Sequence, residues 1–292
     1  MTTGEFESTA RLTPGARRGR RRASRALLYT FLIALLLVFA LPLLWALSSS
    51  FKARGDIFGY PPKLLPSPAT LDNYRGLLDE NPFWSWLLIS TVVAVISTVA
   101  AVLLCALAGF AFAKYRFRGK NVLFNVMFSS LAVPFAVIVV PLFVMLAKAH
   151  LTTPYFALVV PWVAPAFGIF MMRQFAEQSI PDALLDAARV DGCTEFGLFR
   201  RVVLPLLRPA LGALGVWSFL NSFNSLIWPL IVVSDPGDYT LPLGIQALFG
   251  ATNRQYDLVL AGSVLAAIPS LLVFFLLRKQ LLEGLTAGAV KS

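Results

Sequence analysis

Six stretches of this chain, at about residues 26–51, 87–112, 122–147, 155–172, 209–234 and 258–277, contain no Asp, Glu, Lys, Arg or His. A helix that crosses a bilayer core of about 30 Å needs about 20 apolar residues. Five of the windows meet that length, and 155–172 lies near its lower limit. A membrane barrel would instead show alternating segments of about 10 residues. Inside lipid the backbone has no water to bond, so each window predicts a helix unbroken along its length. The expected fold class is all-α: a polytopic membrane protein with six transmembrane helices. Only 14% of the 292 residues are charged, against about 25% in soluble domains, which agrees with lipid as the main solvent.

Cations set the expected orientation. Before the first span stand Arg11, Arg17, Arg18, Arg20, Arg21, Arg22 and Arg25. With the loops after spans two and four and the carboxyl end, that side carries 19 Lys and Arg; the other side carries 6. The richer side is expected to be cytoplasmic, so both termini are too. The net charge of +10 is then a topology signal, and its partner is anionic membrane lipid. Nucleic acid is not an expected partner, because no stacking pattern or binding module accompanies the arginines. The first apolar run is too long for a signal-peptide core of about 7–15 residues and is expected to stay as a span. Residues 1–25 are expected as a basic cytoplasmic tail, 26–277 as the six-helix membrane domain and 278–292 as a second cytoplasmic tail.

Several chemistries find no residues to support them. There is no GxxxxGK[ST] loop for ATP. His150, the single histidine, is expected as a solvated loop residue. Cys105 and Cys193 have neither disulfide nor metal spacing and are expected as small packing residues. No catalytic set, metal site or cofactor is expected, so the chain is not expected to be an enzyme. Ion-coupled carriers keep ionisable groups at mid-membrane; the six runs hold none, which disfavours a secondary carrier. In the loop at 51–86, Thr70 is expected to cap a short helix through Leu78. Phe83, Trp84 and Trp86 are expected at the water–lipid boundary.

One polar island interrupts the oil, residues 179–205. Ser179 and Asp182 suggest a capped start, Pro181 suits a first helical turn, and Gly192 supplies a stop. This predicts a helix over 180–190. A second helix is predicted over 195–203, capped by Thr194 and ended by Pro205. Phe196, Phe199 and Val203 share a spacing that makes one apolar face. The small side chains of Ala187 and Ala188 allow another surface to come close. Physics alone leaves two readings: a docking knob, or a helix lying on the lipid surface.

The pattern "DAARVDGCTEFGLFRRVVLP" resembles the signature of membrane subunits of binding-protein-dependent ABC importers: EAA, three residues, Gly, nine residues, I-x-LP. Asp186, Ala187 and Ala188 stand for EAA, Gly192 has the required spacing, and Val202, Leu204 and Pro205 match the end. Asp186 replaces the usual Glu and Val202 the usual Ile. The tail "EGLTAGAVKS" and the stretches "SSFKARGDIF", "DNYRGLL" and "WPLIVVSDP" are similar to the smaller, six-span permease of maltose-type carbohydrate importers. The resemblance implies a membrane subunit, in a bacterial or archaeal cytoplasmic membrane, that pairs with a second permease. It further implies two ATPase subunits, which use ATP and Mg, and an extracytoplasmic sugar-binding protein. Asp186, Ala187, Ala188, Gly192 and Pro205 would then form the segment that couples to the ATPase. A glycerol-phosphate or polyol importer is the alternative within the family.

In span five, Ser218, Asn221, Ser222 and Ser225 follow i, i+3, i+4, i+7 and are expected on one face. They either line a path for sugar hydroxyls or tie helices together, a role worth about 0.6 kcal/mol per contact.

Overall fold

The computed structural model describes residues 14–250 and 254–287, with side chains described for 24–250 and 254–280. The polar tail sequence before residue 14 and the end of "EGLTAGAVKS" lie outside the described residues. The helices, in chain order, are α1 Pro14–Ser49, α2 Asp72–Glu80, α3 Phe83–Lys114, α4 Lys120–Ser129, α5 Phe135–Lys148, α6 Pro154–Val159 and α7 Ala166–Ser179. There follow α8 Asp182–Val190, α9 Glu195–Leu198, α10 Leu204–Phe223, α11 Ile227–Val232, α12 Leu241–Ala247 and α13 Tyr256–Ala287.

Five long apolar helical segments cross the molecule: Ser24–Ser49, Phe83–Lys114, Pro154–Ser179, Glu195–Phe223 and Tyr256–Gln280. The third predicted span is not a straight rod. Lys120–Ala132 and Phe135–Lys148 meet at 113°. Pro134 starts the second half and forces Val133 to be extended, at φ −86° and ψ 119°. The pair still makes one crossing. It starts beside Lys114, and α5 buries Val139 and Leu146 with Ile89 and Val93, from the opposite end of α3. Six crossings bring the start of α1 and the end of α13 to the same end of the molecule as α8. That end is called the knob end, and the other, carrying residues 51–82, 233–250 and 254–255, the loop end.

The third predicted span was expected to be unbroken, and so were the fourth and fifth. Pro161 and Pro165 interrupt the fourth between α6 and α7. Span five ends at Phe223, and α11 is a separate short helix rather than its continuation to residue 234.

Small residues set the close crossing of α3 and α7. On α3, Ala101, Cys105 and Gly109 recur every fourth position; on α7, Gly168, Met172 and Ala176 do the same. A Cβ on Gly109 would stand 2.5 Å from the Met172 Cβ, and one on Gly168 would stand 2.7 Å from the Cys105 Sγ. Without a hydrophobic drive between helices in lipid, such close packing supplies the attraction. Cys105 is fully buried there, in the packing role expected of it.

At the loop end, Phe83 and Trp86 are buried, against the expectation of a boundary belt; only Trp84, 64% exposed, fits it. Trp86 fills the space that the missing side chain of Gly244, on α12, leaves, and Phe83 is buried in the cluster that holds Leu77 and Leu258. The Thr70 hydroxyl accepts a hydrogen bond from the Asp72 amide at 3.0 Å, at the start of α2.

Candidate functional site at the knob end

Helix α8 is amphipathic over nine residues. Leu185 and Ala188 are buried among Phe175, Ile180, Leu198 and Phe199, which roots the helix on the ends of α7 and α10. Asp186, Ala187, Val190 and Gly192 are exposed. The start differs from the sequence expectation. Ser179 is the last residue of α7, and Pro181 occupies the cap position of α8 with no side-chain cap. The proline's extended backbone makes the break, so the serine hydroxyl is not needed there.

Gly192 ends α8 as expected. Its φ of +80° is in the left-handed region that costs other residues about 1–2 kcal/mol. The Cys193 amide donates to the Ala188 carbonyl and the Gly192 amide to the Arg189 carbonyl, both at 3.0 Å. These two bonds close a Schellman turn and satisfy the helix-end carbonyls. Thr194 then caps α9, accepting from the Gly197 amide at 3.1 Å.

Pro205 does not end the second helix. Leu204 is α-helical, at φ −55° and ψ −44°. Helix α9 runs through a π-helical turn, Phe199–Val203, directly into α10. The wider i→i+5 bonding of that turn accommodates a residue without an N–H and lets the chain continue. The predicted apolar face also divides. Phe199 and Val203 are buried, whereas Phe196 is 71% exposed, as is Val190 of α8 at 87%. Of the two alanines, Ala188 faces the molecule's own core and only Ala187 is left for an outside contact.

Charges weld this knob to the end of α3. The Lys114 ammonium donates to the Asp182 carboxylate at 2.8 Å. Arg189 donates to Glu195 at 2.9 Å and to Asp186 at 3.1 Å. The Tyr115 hydroxyl donates to Glu195, and Lys120 donates to the Tyr115 carbonyl at 3.0 Å. The Lys114 hydrogen bond, and then its charge, hold the Asp182 carboxyl below the usual carboxylate range. Burial, and then the Glu195 carboxylate, push the Tyr115 hydroxyl above its ordinary value. The sequence reading missed Lys114, Tyr115 and Lys120. Their polar character next to the island was visible, but not which of its acids each would meet.

The span-five residues do not form one face. Ser218 and Ser222 are buried, at 3% and 8% exposure, with hydroxyls lacking a hydrogen-bond partner. Asn221 is exposed and donates to the Trp217 carbonyl at 2.8 Å. Ser225 lies past the helix end, half-buried, because α10 stops at Phe223. Asn224, missed from sequence, is exposed. With Ile245, Ser263 and Ser270 it lines a cleft of about 540 Å³. Among the described residues, no group of three or more His, Cys, Asp or Glu is placed to hold a metal.

Residues 101–281 match the family described as the binding-protein-dependent transport system inner membrane component. The chain is 35% identical over 262 residues to the arabinooligosaccharides transport system permease protein AraQ of Halalkalibacterium halodurans, covering 89% of this chain and 93% of that one. It is 31% identical over 276 residues to the lactose transport system permease protein LacG of Rhizobium radiobacter, covering 93% and 98%. The fold is similar to a chain in the crystal structure of a bacterial ABC transporter involved in the import of the acidic polysaccharide alginate. That likeness has a TM-score of 0.76 at 20% identity and covers 93% of this chain and 99% of that one.

Proposed function

This chain belongs to the family of binding-protein-dependent transport system inner membrane components, and from that premise we propose that it is one permease subunit of an ATP-driven sugar importer. A second permease completes the channel. Two separate ATPase subunits supply the work, and an extracytoplasmic binding protein delivers the sugar. The knob end faces the cytoplasm, in line with the excess of Lys and Arg there.

The observation that carries this reading is the knob itself. It is a pair of short helices, α8 presenting Asp186, Ala187 and Val190 outward and α9 presenting Phe196, while charge pairs and apolar roots fix it to α3, α7 and α10. A flexible surface helix would transmit little. One fastened to three spans passes a push on its tip to all of them. Exposed Val190 and Phe196 are the apolar contacts for an ATPase groove, with Asp186 beside them to meet a basic group. Ala187 and Gly192 allow the close approach, and Pro205 keeps its place in the coupling segment as the residue that the π turn accommodates. The six apolar windows hold no ionisable residue, which supports energy entering through this lever rather than through a coupled ion.

On the substrate side, exposed Asn221 and Asn224 offer amides to sugar hydroxyls, with Ser225 at the helix end. Ser218 and Ser222 serve the packing of α10. A neutral sugar of the oligosaccharide or disaccharide kind fits both the absence of charge in the six apolar windows and the substrates named for AraQ and LacG.

The test is uptake by vesicles containing this chain with its second permease, its ATPase and the binding protein. ATP supplied on the knob side is expected to drive accumulation of labelled arabino-oligosaccharide or lactose. Accumulation that continues without the ATPase would contradict the reading in favour of an ion-coupled carrier. Accumulation of glycerol phosphate in place of either sugar would contradict the substrate class alone.

A further inference from the structure

At the loop end, residues 61–66, "PPKLLP", fold back as a flap against the last turns of α1. Two polar contacts hold the flap down. The Ser48 hydroxyl donates to the Leu64 carbonyl, and the Lys52 ammonium donates to the Lys63 carbonyl at 2.6 Å. Lys52 is itself 2% exposed and lies 5.9 Å from the centre of the Trp45 ring. The flap is thus built into the fold. Yet its two leucines, Leu64 and Leu65, are 74% and 75% exposed.

Between the flap and α1 runs a groove of about 530 Å³, walled by Leu37, Leu41, Leu44, Trp45, Leu64 and Leu65, with Ser48 at its upper end. Ser48 is already engaged with Leu64, so the wall offers a polar ligand little. From Ser48 down to Leu37 is 11 residues, or about 16 Å along a helix. That is close to half of a hydrocarbon core of about 30 Å, the depth of one leaflet. The adjoining span, Ser24–Ser49, has none of its most apolar window buried inside the chain. At the mouth, next to Leu64, stands exposed Lys63, a cation suited to a phosphate at the headgroup level.

We propose that this groove binds one acyl chain of a glycerophospholipid from the loop-end leaflet, with the lipid phosphate beside Lys63. The inference rests on α1 crossing the bilayer and not on the substrate or the ATPase. The flap presses its leucines against the chain, and the lipid becomes a packing element between α1 and the rest of the loop end.

The assembled transporter is reconstituted in vesicles of phosphatidylethanolamine and phosphatidylglycerol containing a phosphatidylglycerol with a photoactivatable group on one acyl chain. Illumination is expected to label the peptide bearing Leu64 and Leu65. Leu44→Trp, which fills the groove, is expected to reduce that label several-fold and to leave labelling of the exposed α13 residues Leu272 and Phe275 unchanged. Equal labelling at the flap in both proteins, or an equal fall at both places, would overturn the proposal, since bulk lipid would then account for the signal. A nitroxide on Leu65→Cys, with Cys193 replaced by Ser, gives a second readout that does not depend on the Trp variant. Relaxation by oxygen above that by a water-soluble nickel chelate supports lipid contact. The reverse order puts water there, and low access to both puts a protein partner there; either result overturns it.

Discussion

Two residues with positive φ end helices by the same turn, and only one of them is a glycine. Gly192 closes α8 at φ +80°, and His150 closes α5 at φ +57°. After His150 the Leu151 amide donates to the Leu146 carbonyl at 2.9 Å, as Cys193 does to Ala188 after Gly192. The left-handed conformation costs a side chain about 1–2 kcal/mol, so the two sites predict opposite effects. Gly192→Ala is expected to lower the thermal stability of the purified complex by about 1–2 kcal/mol, with no steric part, because a Cβ there would meet nothing within 4 Å. His150→Gly is expected to raise stability by up to about 1 kcal/mol, since glycine accepts the conformation but loses more chain entropy on folding. Denaturation curves of the two variants beside the parent check both signs. At this scale the sequence was readable where a residue's own backbone decides the outcome, as at Gly192 and Thr194. It was not readable where a neighbour decides: Trp86 is buried because Gly244, more than 150 positions later, makes room for it.

At the scale of elements, the knob is joined to α3 by a tie whose pH dependence has a definite sign. Lys114 holds Asp182 below the usual carboxylate range. A carboxyl lowered in the folded state contributes stability that is fully present above its unfolded pKa and is lost as pH falls through the lowered value. Asp182→Asn is therefore expected to be less stable than the parent at neutral pH, with the gap closing as pH falls below the ordinary aspartate range. A gap that widens on acidification contradicts the assignment. The π turn Phe199–Val203 sets how the knob is rotated relative to α10. Deleting Val202 restores α-helical spacing and turns everything before it by about 100° around the helix axis. The deletion variant is expected to insert its spans and bind its partner permease while losing ATP-driven uptake, as measured in vesicles. The existence of α8 and of a helical segment after Thr194 was legible from the Gly192 stop, the Thr194 cap and the spacing, although the expected Ser179 cap is not the one used. The continuation through Pro205 was not. Proline normally breaks an α-helix, and nothing local announces that the preceding turn is wide enough to accept one. The bend at Pro134 shows the converse: the proline was visible, but its 113° outcome depends on the packing of Val139 and Leu146 against the far end of α3.

For the whole molecule, the charge-free windows were enough to give the all-α membrane class and six crossings. Lipid as solvent leaves few other solutions for such runs. The candidate site was only partly legible. Its polar island stood out, but the side chains that fasten it lie on α3 and in the loop after it, joined by contacts of 68 and 80 positions in sequence separation. Span five was read as one polar face, and the early end of α10 divided it. What emerges is a bundle of spans with one projection fastened to three of them. The measurement that addresses this most directly is sugar taken up per ATP hydrolysed by the assembled transporter carrying Asp186→Lys or Gly192→Pro. Both variants are expected to insert normally while uptake falls far more than hydrolysis, so that the ratio collapses. An unchanged ratio with normal uptake in both variants would contradict the knob as the place where ATP hydrolysis drives the passage.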